Sequence, residues 1–132
     1  MTGTLRILAL GLTLVDVTRE AGIDFRHQQG ASGRRYMVEI AGGGVLVFDY
    51  DSDGDPDIFF VNGAPLPGDA DPPSGSVLYR NLGAGRFEDV TLEAGLGEPG
   101  YAMGGSAADV DSDGDPDLFV SAFGPDRFYR NE

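Results

Sequence analysis

Residues 49–57 read DYDSDGDPD and residues 109–117 read DVDSDGDPD, the same word differing only at its second letter. Each copy puts an aspartate at every odd position and a glycine at the sixth. Two carboxylates about 4 Å apart repel by roughly 1 kcal/mol even in bulk water, and by several times that near a protein surface. Such a loop is tolerable when a hard divalent cation sits among its oxygens, and calcium accepts six to eight of them in flexible geometry. The two stretches therefore imply two Ca2+ sites.

The spacing separates this loop from the helix-flanked calcium hand that opens the same way. That motif needs a bidentate glutamate at the twelfth position and a helix on each side. Here the twelfth position is Phe60 in one copy and Val120 in the other. The ninth position is acidic, an apolar run of β type follows at once, and Pro56 or Pro116 at the eighth forbids a continuing helix. Each loop is predicted to be the tip of a β-hairpin. VLVFD enters the first and IFFV leaves it; SAADV enters the second and LFV leaves it. The side chains of Asp49, Asp51, Asp53 and Asp57, and of Asp109, Asp111, Asp113 and Asp117, are the expected ligands. Asp55 and Asp115 complete the sites, more naturally through backbone carbonyls. Gly54 and Gly114 permit the sharp turn.

On these residues the loops resemble the calcium loops of FG-GAP/VCBS repeats, the blades of integrin-like β-propellers, whose form is D-x-D-x-D-G-x-x-D. The flanking words are similar to the propeller region of secreted ASPIC/UnbV-type proteins: VDVTREAGIDF, LYRNLGAGRFEDVTLEAGL, GYAMGGSAADVD and FYRN, from about Leu14 onward. The resemblance implies an all-β fold with β-propeller-type blades of four antiparallel strands. It is less informative about activity, because one propeller scaffold serves many functions.

Working outward, VLVFD, the acidic loop, IFFV, a long connection, VLYR, a turn at Leu82 to Gly85 and RFEDV make one four-strand unit. SAADV, LFV and RFYR make most of a second, and the sequence ends at Glu132 where a fourth strand would begin. LTLVDVT near the other end is of fourth-strand type, giving about two blades with one split between the termini. The organisation read from this is an N-terminal apolar segment (1–13), an N-terminal strand and connector (14–43), a first blade (44–97) and a second, incomplete one (98–132). Residues 5–15 (LRILALGLTLV) read as either a signal remnant or an early strand, and are too short to span a bilayer. VDVT followed by REAGI repeats as EDVT followed by LEAGL, so Asp16 and Asp89 are equivalent and expected to cap the turn after a strand. The glycines at 42–44 and 104–105 are expected where strands crowd together. Asn62 to Ser76 is expected to be a surface loop, and Leu78, Tyr79, Phe128 and Tyr129 to pack between blades.

Composition narrows the function classes. The formal net charge is −13, but ten of the 22 acidic residues lie in the two loops, and without them the balance falls to −3. The charge is thus a metal-site signature, and with no basic, aromatic-laced stripe no nucleic acid partner is expected. With no cysteine, disulfides and thiolate metal sites are excluded. No glycine-rich loop is followed by a lysine and helix, no serine sits in a nucleophile elbow, and His27 stands alone, so no catalytic residues are expected. The leading expectation is a non-enzymatic, calcium-binding propeller segment with a structural or adhesive role toward a protein or glycan ligand. Exposed calcium loops suit the ion levels of an extracellular, cell-surface or periplasmic setting. One alternative is a fragment of a propeller-based extracellular hydrolase or lyase. Because two blades cannot close a ring, the remainder of a longer propeller chain, or a homo-oligomer completing blades by strand exchange, is the expected means of closure.

Overall fold

A computed structural model describes residues 13–66, 68 and 74–132. It is nearly all-β, with two antiparallel sheets and a single short helix, α1 (Val38–Ala41), among the described residues. The first sheet has the order β1 (Gly44–Phe48), β2 (Asp57–Val61), β3 (Val77–Asn81), β4 (Phe87–Asp89). The second has β5 (Ala102–Ala108), β6 (Asp117–Ala122), β7 (Arg127–Tyr129). Neighbours in the sheets are neighbours in the chain, a meander. That follows from the sequence, since each apolar run is short and bounded by Gly, Pro, Asn or Asp. The expected N-terminal segment over residues 1–12 lies outside the described residues.

The register puts both acidic loops at hairpin tips. Phe48 pairs with Asp57 at the end of the β1–β2 ladder, and Ala108 with Asp117 at the end of β5–β6. Strand alternation then sorts the faces. In the first sheet Leu46, Phe59 and Leu78 share a face, which is buried against Leu118 and Val120 of the second sheet; Val61, Val90, Leu96 and Ala102 complete this core. Gly105 lies at the close approach of the sheets: a Cβ there would stand 3.2 Å from Leu46 Cδ1. The expectation that glycine permits crowding is met at this position.

Three expectations are corrected. Leu14 to Thr18 is not a strand, and Leu14 is 99 % exposed. Its backbone groups are spent locally: Ala21 N–H donates to Val17 O at 2.8 Å and Ile23 N–H to Thr18 O at 3.0 Å, closing a turn. Asp16 caps that turn by accepting Thr18 N–H at 3.0 Å, as Asp89 does from Thr91 N–H at 3.0 Å, so the two VT-x-E-A-G words fold alike. Second, Phe128 does not pack between the sheets. It pairs with Phe119 on the far face of the second sheet and is exposed, while Tyr79 is buried on the opposite face of the first sheet. There Phe25 stacks on Phe60 with ring centroids 4.5 Å apart, and Tyr79 donates its hydroxyl to Asp24 at 2.7 Å. Third, the connection after β2 does not begin at the surface. Asn62 to Ala64 are buried, because Asn62 accepts Gln28 N–H at 2.7 Å and donates its amide to Gly75 O at 3.1 Å.

Candidate metal centre

Each acidic loop is held by its own backbone before any ion is considered. In the first, Asp49 accepts the N–H groups of Asp53 (3.1 Å) and Gly54 (2.9 Å), and Asp53 accepts that of Asp55 (2.9 Å). In the second, Asp109 accepts from Asp113 (3.2 Å) and Gly114 (3.1 Å), and Asp113 from Asp115 (3.1 Å). Gly54 and Gly114 turn the chain at φ 93° and 107°, where a side chain would be strained. Ser52 and Ser112 adopt the same left-handed conformation at φ 57° and 64° without being glycine. The repeated word thus folds to a repeated geometry.

The ninth-position aspartates anchor the loops to the sheets. Asp57 is fully buried, and its two carboxylate oxygens accept Tyr50 N–H at 2.8 Å and Asn81 N–H at 2.7 Å. Asp117 does the same with Val110 N–H and Asn131 N–H, each at 3.0 Å. Burial pushes the Asp57 carboxyl above its usual range, against which the donated N–H groups of Asn81 and Tyr50 pull it down, while the neighbouring Asp51 and Asp53 charges push it further up. Extra positive charge nearby would favour the ionised form.

The geometry brings Asp49, Asp51 and Asp57 together, each offering an oxygen within 4.8 Å of the others, and likewise Asp109, Asp111 and Asp117. Two ligands of one calcium, each 2.3–2.6 Å from it, lie at most ~5 Å apart, so three such oxygens can share an ion. The donor set is all oxygen and anionic, which suits a hard cation and offers nothing to a soft one. Asp53 and Asp113 stand outside these groups of three. Asp115 is drawn the other way, accepting the Ser52 hydroxyl at 2.7 Å from the adjacent loop. A second bond between the sheets runs from the Asn131 amide to Tyr50 O at 2.6 Å.

Sequence reasoning passed over Asn81 and Asn131, which close the back of each site. Their side-chain amides donate to Pro56 O (3.0 Å) and Pro116 O (3.5 Å), while their backbone N–H groups hold the buried aspartates. The repeated YRN was the available signal. Its arginines, left open by the sequence, divide: Arg80 pairs with Glu88 across β3–β4 at 2.8 Å, and Arg130 reaches Asp111 at 3.8 Å.

A family model described as FG-GAP-like repeat matches residues 49–120, more than half of the chain. The chain belongs to this family. The matched span runs from the first aspartate of one loop to β6 beyond the other, so the FG-GAP-like repeat is defined here by the acidic hairpin tips and the sheet between them. No curated protein sequence matches the chain. No described helix is long and apolar enough to cross a membrane.

Proposed function

We propose that the chain is a calcium-binding FG-GAP propeller segment with a structural or adhesive role outside the cytoplasm, of the kind found in ASPIC/UnbV-type proteins. One observation carries this reading: two carboxylate groups of three, built by near-identical loops, recur at the same place on two sheets. Asp49, Asp51 and Asp57 would hold one ion, and Asp109, Asp111 and Asp117 the other. Bound calcium would supply positive charge to the converging carboxylates and draw their oxygens into one coordination shell. The chain's own residues do the rest: Asp57 and Asp117 tie each loop to β3 or β7 through Asn81 and Asn131, and Ser52 ties one loop to the next. Ion binding in this arrangement stiffens the sheet edge that presents the connecting loops to a protein or glycan partner.

The setting outside the cytoplasm is supported by the exposure of both acidic loops, which is the character of low-affinity calcium modules. Exposed loops of extracellular modules bind calcium at ~10⁻⁴–10⁻³ M, which cytosolic calcium does not reach. Thermal denaturation in millimolar calcium and in chelator tests the structural role. If the chain gains no stability from calcium, the reading is wrong. Fractionation of the producing cells tests the location, and recovery of the chain solely in the cytosol would contradict it.

A further inference from the structure

The interface between the two sheets has a direction, and the face of each sheet turned away from it is open in part among the described residues. The first sheet meets the second with the face carrying Leu46, Phe59 and Leu78. Shifting along the repeat, the same face of the second sheet carries Ser106, Phe119 and Phe128, and nothing covers it among the described residues: Phe119 is 39 % and Phe128 54 % exposed. The second sheet meets the first with the face carrying Gly105, Ala107, Leu118 and Val120. Its counterpart on the first sheet carries Val45 and Val47, 58 % and 64 % exposed, beside Ile58 and Phe60; Phe25 already stacks on Phe60 there and Tyr79 is buried, so the open part of this face is its β1 side.

The sizes at these positions are reversed in a complementary way. Inside the chain, Leu46 projects toward Gly105, large against small. At the free faces the corresponding positions are Ser106 and Val45, small against large. The polar bonds between the sheets also have both partners in reserve. Ser52 donates to Asp115 and Asn131 to Tyr50 O within the chain; Ser112, Asp55, Asn81 and the Val110 carbonyl occupy the equivalent places on the free faces.

We propose that the outer face of the second sheet docks on the outer face of the first sheet of another copy of this chain, continuing the intramolecular packing head to tail. This is face packing, distinct from exchange of an N-terminal strand, since residues 13–18 form none. Such a contact is heterologous, so it closes into a ring or grows into a filament. Docking places acidic loops side by side, so salt or a divalent cation favours it.

Sedimentation velocity at about 100 µM chain, where even a ~10 µM contact is mostly occupied, is the test. It is run in millimolar calcium and, separately, in chelator with high salt. The wild type is expected to form species larger than a monomer. Phe128→Glu and Val47→Glu, blocking opposite faces, are each expected to be folded monomers by circular dichroism, and their equimolar mixture to form a dimer and nothing larger. A wild type that is monomeric in both solutions overturns the proposal, as does a mixture of folded variants that stays monomeric. Calcium uptake by the Phe128→Glu monomer is measured separately, so failure of docking and failure of the calcium reading are told apart.

Discussion

Asp57 shows how one side chain can serve two purposes. Buried carboxylates are costly unless hydrogen-bonded or paired, and this one receives two backbone N–H groups, Tyr50 from within its loop and Asn81 from the end of β3. The anchoring depends on Asn81, whose side chain also accepts Gly83 N–H at 2.9 Å and donates to Pro56 O at 3.0 Å. Asn81→Ala should therefore cost about 1–2 kcal/mol of stability, measured by urea denaturation. Tyr79 makes a separate claim at this scale. Burial, then its hydrogen bond to Asp24, raises its hydroxyl from 10.0 to about 12. In the unfolded chain the proton leaves near pH 10, whereas the folded chain keeps it to about 12, so the native state binds more protons in that window. Stability should fall as pH rises from 10 to 12, and Tyr79→Phe should flatten that fall; alkaline melts of both chains check it.

Strands and hairpins were the most legible level. The apolar runs, the turn residues and the doubled acidic word placed β1 to β7 to within a few residues, because each run is short, periodic and bounded by breakers. Leu14 to Thr18 escaped because its alternation imitates a strand while Asp16 caps a local turn, a competition that hydropathy does not report. The packing faces escaped for a different reason. Strand pairing puts Phe119 and Phe128 on one face, and alternation in the sequence does not tell which of two faces a neighbouring sheet covers. In the first sheet Phe59 lies on the covered face and is 1 % exposed. Phe59→Ala should cost about 3–5 kcal/mol, whereas Phe119→Ala in the isolated monomer should cost well under half of that; paired denaturation curves decide.

Across the whole molecule the two acidic loops, the buried aspartates and the inter-sheet bonds form one continuous edge, from Gly83 through Asp57 and Ser52 to Asp115 and Asn131. The sequence revealed this edge through its ten aspartates but not its division of labour. Spacing groups four side chains per loop and leaves Asp55 and Asp115 to their carbonyls; folding brings three per loop together, turns Asp53 and Asp113 to bracing the loop, and sends the Asp115 side chain across to Ser52. If calcium occupies the converging groups, each site adds about 1.4 kcal/mol when the ion is tenfold above its Kd. Chelation should then lower the melting temperature by roughly 5 °C per site. Calcium titration calorimetry with the exposed members of each group exchanged tests the claim most directly. The wild type should take up two ions per chain, Asp51→Ala and Asp111→Ala one each, and the double variant none. A wild type that takes up no calcium at millimolar concentration, or variants that bind as many ions as the wild type, would contradict the account.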